Sequence, residues 1–494
     1  MNRSARPHAC QCSDSTHKRG TKLLHVPRLH IVMQSAGVVA ALSFQLAAAC
    51  IAAEASDQPN FLIIIGDDVG YDAFGCTGST YAHTPHIDRL AEESLVLDRF
   101  YGTVSQCAPI RAELFTGLFP INNGKLANAK SIPRPDVKSV VDHLKPLGYD
   151  VGLSGKSHFS KGGRFQKIEG FPAGANSSIA EYSVDGLRGF IENALDKDRS
   201  FCAVIGSIHA HHPWDLGSPE NFDQPTLNLP EHWVDTPGAR EALARHAAEV
   251  EELDHQVGTA LKLFDEMKLS RDTVVIFLSE QGIAMPRAKW SVYDHGNRSL
   301  CLMRWPDHIQ PRRTSALGQY CDIVPTLVDL AGGDDPRLDG FSLRPLFAGS
   351  TDTHRDFVYL SNVHPTWQRA IIRDDWKLVW SPQTEKDHIW NNFYSKNKFF
   401  SVPWSEWEEL ARSDTRAAAK VEHVIHPREY ELYRIDEDFY ETNNLALDPE
   451  QQARTRQMAD DLKSFMKKLG DPLYAPGQVN SNRKKKARNK KPAA

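Results

Sequence analysis

Two pairs of adjacent oxygen-bearing side chains, each just past a purely apolar run, are the first features of this sequence able to do chemistry. Asp67-Asp68 follow residues 61–65 (FLIII) and a glycine. Neighbouring carboxylates repel one another unless a cation lies between them, and a hard cation such as calcium gathers several oxygens. Taken alone, the pair has a second reading, in which one acid caps the next helix and the other is solvated. Glu280-Gln281 follow residues 273–278 (TVVIFL) and Ser279 in the same manner. They offer a further carboxylate and an amide oxygen, or simply a turn at a strand end. An all-oxygen set needing no thiolate or imidazole suits Ca2+ or Mg2+ better than zinc. The third feature is Cys107-Ala108-Pro109-Ile110-Arg111, continuing to Leu114-Phe115-Thr116-Gly117. By residue type alone it is a buried cysteine ahead of a helix with proline in its first turn.

These residues need elements to hold them. Residues 61–65, 200–208 (SFCAVIGSI) and 273–278 are short, almost wholly apolar runs, as strands buried on both faces must be. Between them, residues 136–147 place Val137, Val140, Val141, Leu144 and Leu147 near the 3.6-residue period. Residues 242–267 do the same with Val250, Leu253, Val257, Leu261 and Phe264. Alternating strands and helices predict an α/β layer, a mostly parallel central sheet flanked by helices. In such sheets ligands collect at the carboxyl ends of strands, which is where both oxygen pairs fall. After about residue 350 the texture changes. Residues 357–360, 369–373 and 376–380 are short strand-like runs, and a helix is expected around residues 450–469. This predicts a smaller antiparallel sheet packed with a helix. The expected organisation is a targeting segment over residues 1–55, a catalytic domain over 56–350, a smaller α+β domain over 351–475 and a basic, disordered tail over 476–494. No internal repeat is seen.

Composition narrows the function. The formal charge is −5, yet residues 483–491 (RKKKARNKK) hold seven basic side chains, so the rest of the chain carries −12. No global basic field marks a nucleic-acid binder, and any anion site must be built locally. Near the start, Lys18, Arg19, Lys22 and Arg28 precede an apolar stretch over residues 38–53, followed by Ala53-Glu54-Ala55. That pattern predicts export through an N-terminal signal, with Ala47-Ala48-Ala49-Cys50 as an alternative lipidation site. The stretch is short and rich in small residues for a membrane anchor. The eight cysteines contain no C-x-x-C pair, and Cys202 and Cys301 lie in apolar runs as core residues.

The Cys107–Gly117 stretch resembles the signature of the sulfatase family, a C-x-P-x-R element followed by Thr-Gly. Flanking segments are similar in the same order: residues 59–75 (PNFLIIIGDDVGYDAFG), 83–90 (HTPHIDRL), Gly148-Tyr149 with Gly155-Lys156-Ser157-His158, and Ala210-His211-His212-Pro213. Residues 254–258 (DHQVG), 322–326 (DIVPT), 431–433 (ELY) and Asn443-Asn444-Leu445 complete the series, so the resemblance spans about residues 59 to 470.

The resemblance implies an alkaline-phosphatase-like fold and hydrolysis of sulfate esters. It implies that Cys107 is oxidised by a formylglycine-generating or sulfatase-maturing enzyme to formylglycine (3-oxoalanine), whose hydrate attacks sulfur. It assigns the divalent cation, Ca2+ or Mg2+, to Asp67, Asp68, Glu280, Gln281 and the modified Cys107. Arg111 orients the hydrate, Lys156 and Lys289 stabilise the sulfonyl oxygens, His158 is the base and His211 the acid. His209, His212, Trp214 and Trp290 are candidates for substrate contact. Two departures stand out. Ile110 occupies the usual place of Ser, and Glu280-Gln281 replaces Asp followed by Asn or His, each side chain one methylene longer. The expected substrate is a sulfated carbohydrate, and the Ala210–Pro213 segment together with the Glu280-Gln281 variation resembles the branch that includes heparan N-sulfatases, which would admit N-sulfate as well as O-sulfate. The alternatives are a phosphomonoester or phosphonate hydrolase of the same superfamily and a non-catalytic relative that binds sulfated glycans.

Overall fold

In the computed structural model the described residues are 58–128, 133–159, 165–168, 183–363, 367–382, 396 and 401–474. The expected targeting segment and basic tail lie outside them. Eight strands form the central sheet: β1 (Asn60–Ile65), β2 (Leu95–Tyr101), β3 (Asp150–Gly155), β4 (Gln166–Lys167), β5 (Phe201–Gly206), β6 (Thr273–Leu278), β7 (Arg298–Arg304) and β8 (Arg312–Gln319), in the order β4-β3-β5-β1-β6-β7-β2-β8. β1 pairs in parallel with β5 and β6, and β5 with β3; β7 runs antiparallel to β6 and β2. The central strands end level, because Ile65 pairs with Gly206 and Leu278, and Gly155 with Gly206. The segments after β1, β3, β5 and β6 therefore leave the same edge of the sheet side by side.

β1 shows why its sequence is apolar throughout. Phe61, Ile63 and Ile65 enter one core with the helices Cys107–Thr116, Val140–Leu144 and Ile323–Leu330. Leu62 and Ile64 enter the opposite core with Pro85–Glu92, Val184–Leu195 and Pro237–Glu266. A strand covered by helices on both faces has no polar side to present. Cys202 and Cys301 are fully buried, one in β5 and one in β7.

One helix differs from expectation. The period over residues 136–147 predicts a helix from 136, but it begins at Val140. Asp142 accepts from the backbone and hydroxyl of Ser139 at 2.7 and 2.8 Å, a capping arrangement that sets the start there and leaves Val137 outside. Conversely, Pro237–Glu266 begins earlier than its apolar period, because Thr236 caps it, accepting from the Ala239 amide at 3.3 Å.

The second sheet is four-stranded and antiparallel: β9 (Val358–Ser361), β10 (Arg369–Arg373), β11 (Trp376–Trp380) and β12 (Tyr430–Arg434), in the order β12-β11-β10-β9. One face packs Tyr359, Ile371, Leu378 and Leu432 against Met458, Leu462 and Met466 of the helix Gln452–Leu469. The other face packs Val358, Leu360, Ala370 and Val379 against Tyr101, Val292 and Tyr293. The two sheets lie in one compact unit that begins at Gln58. Among the described residues no helix is long and apolar enough to cross a membrane.

Candidate active site

Asp67 and Asp68 stand just past β1, Lys156 just past β3, His211 five residues past β5, and Glu280-Gln281 just past β6. Cys107 opens a helix of ten residues with Gln106 extended before it. Ligand atoms of Asp67, Asp68, Cys107 and Glu280 all lie within 4.8 Å of one another, and His211 joins Asp67 and Cys107 in a second such group. Several of these segments carry non-glycine residues with left-handed backbone: Asp68 at φ 57°, Glu280 at 53°, Trp290 at 65° and Ala210 at 72°. Such conformations cost about 1–3 kcal/mol each and persist where the surroundings hold them.

The contacts alternate in charge. Lys156 Nζ is paired with Asp67, and Lys289 Nζ lies 2.5 and 2.6 Å from the two oxygens of Asp68. Arg111 Nε donates to Glu280 at 2.5 Å, and its Nη1 donates to the carbonyl of Lys156. His211 Nε2 is 3.7 Å from Asp68, with the side chain 23% exposed. Gln281 Nε2 donates to Asp68 Oδ1 at 2.5 Å and faces Cys107 Sγ at 3.1 Å. Arg111 reaches in only because the neighbouring strands have no side chain there. A Cβ on Gly206 would meet the Lys156 carbonyl at 2.2 Å and Arg111 Nη1 at 2.9 Å. Gly155, at φ +82°, would meet the Gly206 carbonyl at 2.2 Å.

This setting shifts its ionisable groups. Burial pushes the Cys107 thiol up, but the ammonium groups of Lys156 and Lys289 outweigh it and bring it down to about 5. Burial also opposes ionisation of Asp67 and Asp68. Lys156 and His211 hold Asp67 well below the usual carboxylate range, and Lys289 and His211 hold Asp68 below it. Burial lowers His211, but Asp68 and Asp67 more than offset it and raise it, favouring the protonated ring. Glu280 differs: burial, with Asp67 alongside, raises it well above a normal carboxyl despite Arg111.

A divalent cation fits these donors. Asp67 Oδ1, Glu280 Oε2 and Gln281 Oε1 are buried and have no hydrogen-bond partner. Three buried oxygens that no protein N–H reaches are what a hard cation would satisfy. The longer side chain of Glu280 still delivers an oxygen within 4.8 Å of Asp67 and Asp68, and Gln281 turns its amide onto Asp68 and Cys107.

Other candidates separate. His158 is exposed, at φ 47°, and among the described residues no hydrogen bond or ion pair joins it to the cluster. Trp214 is buried, donates to the Ala210 carbonyl at 2.9 Å and packs edge-on to His246, so it builds the His211 loop from behind. His209 is buried 3.5 Å from Glu249. His212 and Trp290 are half-buried, with Lys289 Nζ 4.7 Å from the Trp290 ring centre.

Sequence reasoning missed the support from the helix Pro237–Glu266. His246 Nε2 is 3.0 Å from the Asp68 carbonyl, holding that left-handed residue. Glu249, one turn later, accepts from the backbone of Asp215 and Leu216 at 3.0 and 2.9 Å. The available signal was two polar residues on the apolar face of an amphipathic helix, where a buried polar group needs a partner.

Comparison with known proteins adds to this geometry. The sulfatase family model matches residues 59–333. The ulvan-active sulfatase of Formosa agariphila is 29% identical over 425 residues, covering 85% of this chain and 82% of that protein. Human N-sulphoglucosamine sulphohydrolase is 25% identical over 474 residues, covering 85% and 92%. The solved structure of BT4656 with its substrate D-glucosamine-2-N,6-O-disulfate shares the fold, with a TM-score of 0.64 at 18% identity over 84% of this chain and 99% of that one.

Proposed function

The chain belongs to the sulfatase family and is a sulfuric ester hydrolase, and from that premise we propose that it removes sulfate groups from a carbohydrate through a formylglycine made from Cys107. The observation that carries this reading is the convergence of Asp67, Asp68 and Glu280 on Cys107 within 4.8 Å. The substrate class is supported by the relatives, one active on ulvan and one on an N-sulphated sugar. The second of these favours a variant of the reading in which N-sulfate is also cleaved.

An aldehyde hydrate at position 107 supplies a hydroxyl nucleophile and a second hydroxyl that lets sulfate depart, which a thiolate cannot do. A hard divalent cation, Ca2+ in our reading, held by Asp67, Asp68, Glu280 and Gln281, supplies Lewis-acid polarisation of sulfate oxygens. The chain's own residues do the rest. Lys156 and Lys289, both buried and each paired with one of the two aspartates, hold positive charge fixed where the sulfonyl oxygens arrive. Arg111 is immobilised between Glu280 and the Lys156 carbonyl, and one helical turn from residue 107 it orients the attacking group. His211 carries its proton at the rim of the cluster and donates it to the leaving oxygen. His158 enters as the base that takes a proton from the second hydroxyl once substrate covers the exposed ring. The half-buried Trp290, beside Lys289, offers an apolar face to the sugar.

Two measurements test this. Peptide mass spectrometry of protein from its native host should show residue 107 as the aldehyde, even with Ile110 beside it. An aryl sulfate should be hydrolysed far faster than the matching aryl phosphate. A bare cysteine at 107 defeats the mechanism, and a preference for phosphate transfers the chain to the phosphonate and phosphomonoester hydrolases. We further propose that residues 1–55 direct export. N-terminal sequencing of the mature protein checks this, and an intact Met1 in the cytoplasmic fraction would oppose it.

A further inference from the structure

Asn362 directly follows β9, in the four-stranded sheet, and is fully buried. Its side chain nevertheless lies against two active-site segments that meet at Ser105, whose hydroxyl donates to the Ser291 carbonyl at 2.6 Å and accepts from the Ser291 amide at 2.9 Å. Asn362 Nδ2 donates to the carbonyl of Trp290, the residue after Lys289. Gln106 Nε2, from the residue before Cys107, donates to Asn362 Oδ1 at 3.1 Å. Gln106 Oε1 in turn accepts from the Asn128 backbone at 3.3 Å, and Asn128 Oδ1 accepts from the Ala108 amide at 2.9 Å, at the first turn of the Cys107 helix.

The two ends of this chain determine every amide in it. A backbone carbonyl can only accept, so Asn362 must turn its NH2 to Trp290 and its oxygen to Gln106. Gln106 must then present its own NH2 to Asn362 and its oxygen to the Asn128 N–H. Each amide has one orientation, and none can be reversed without setting oxygen against oxygen or N–H against N–H. Asn362 is itself held firmly. Its amide donates to the Gln368 carbonyl at 2.9 Å, and its carbonyl accepts from Arg369 at 3.0 Å. Arg369 is anchored in a buried pair with Asp471, at 2.7 Å.

We propose that Asn362 is a positioning residue for the sulfatase reaction, locking the start of the Cys107 helix to the Lys289 segment through this buried amide relay. The proposal rests on the roles given above to positions 107 and 289. Its logic is geometric. Lys289 reaches the site from a segment after β6, Cys107 from a helix after β2, and a relative shift of about 1 Å between two such groups costs roughly 10²-fold in rate. The second sheet thereby becomes part of the active site without touching substrate.

The test uses the full-length, matured protein with Asn362→Leu, Asn362→Asp, Gln106→Leu and the double variant Gln106→Leu/Asn362→Leu. On an aryl sulfate, Asn362→Leu should lower kcat about 10²-fold with KM changed less than about threefold. Asn362→Asp keeps the acceptor for Gln106 but sets a carboxylate against the Trp290 carbonyl, and should lose as much. The double variant should lose no more than the worse single one, because a broken relay cannot be broken again. Hydrogen exchange should quicken together at residues 105–108 and 289–291. A role confined to the second sheet would quicken residues 369–380 instead, which overturns the proposal. So do retained activity in Asn362→Leu, single losses that multiply in the double variant, or reduced aldehyde content at residue 107, which would make Asn362 a maturation determinant. If the matured wild type hydrolyses no sulfate ester, the functional reading fails by itself, and the exchange pattern alone then decides whether the relay exists.

Discussion

Removing Arg111 tests whether the buried charges at this site are coupled as the structure implies. Arg111 and Glu280 have fully buried side chains, 2.5 Å apart, and Asp67 Oδ1 lies 4.0 Å from Arg111 Nη2. No solvent screens them. At about 4 Å, the Arg111–Asp67 separation, and an effective dielectric constant near 20, two unit charges attract by about 4 kcal/mol. Breaking one partner out of a buried pair typically costs about 3–5 kcal/mol, because the survivor is left uncompensated. Arg111→Met should therefore lower stability by about 3–5 kcal/mol at pH 7, measured with chelator present so that bound cation adds nothing. In that variant Glu280→Gln should restore part of the loss, since a neutral amide needs no counter-ion. A coupling of about 2 kcal/mol is expected between the two positions. The assay is urea unfolding followed by tryptophan fluorescence and by circular dichroism, with coincident transitions required. A loss under about 1 kcal/mol for Arg111→Met, or strictly additive single losses, would refute the reasoning that these charges sustain one another.

Three further outcomes are expected. His246→Phe removes the donor to the Asp68 carbonyl and should cost about 1–3 kcal/mol; it should also raise the Ca2+ concentration for half-maximal thermal stabilisation about 10–100-fold, and an unchanged calcium titration would remove His246 from the support of the metal loop. Adding Ca2+ to chelated protein should raise its melting temperature, and Asp67→Asn should abolish most of that rise; an equal rise in both proteins would place the ion elsewhere. Burial pushes the Glu113 carboxyl up to about 8, against hydrogen bonds from Thr103. Its folded value lies above its ordinary 4.5, so stability from the neutral form is full below 4.5 and lost as pH rises through 8. Relative to wild type, Glu113→Gln should thus gain on the order of a few kcal/mol between those limits, and a pH-independent difference would show that Glu113 does not titrate there.

Much of this site was legible in one dimension, for physical reasons that can be named. A strand covered on both faces must be apolar at every position, so FLIII and TVVIFL announce buried parallel strands. Polar residues directly after such strands must emerge at the sheet's carboxyl edge, which placed Asp67-Asp68 and Glu280-Gln281 on one side. Cys107 at a helix start, with Pro109 and Arg111 in its first turns, was likewise local. Local pattern was weaker where a cap competed with periodicity, as at Ser139, and where charged residues interrupted a strand, as Asp98-Arg99 do in β2.

What tertiary structure alone decided is which of these local features meet. No periodicity says that β1 lies between β5 and β6, so that Lys156 and Lys289 close on separate aspartates and pull the Cys107 thiol down. Nor does it say that Trp214 turns inward onto His246, that His158 stays exposed, or that Asn362 spans 256 residues to reach Gln106. Apolar pattern is written residue by residue, because each position is buried or not. A buried hydrogen bond needs two groups whose approach depends on every element between them. The sequence by itself therefore determined the strands, the helix and the chemistry at their ends, and the packing of two sheets decided how those ends were held.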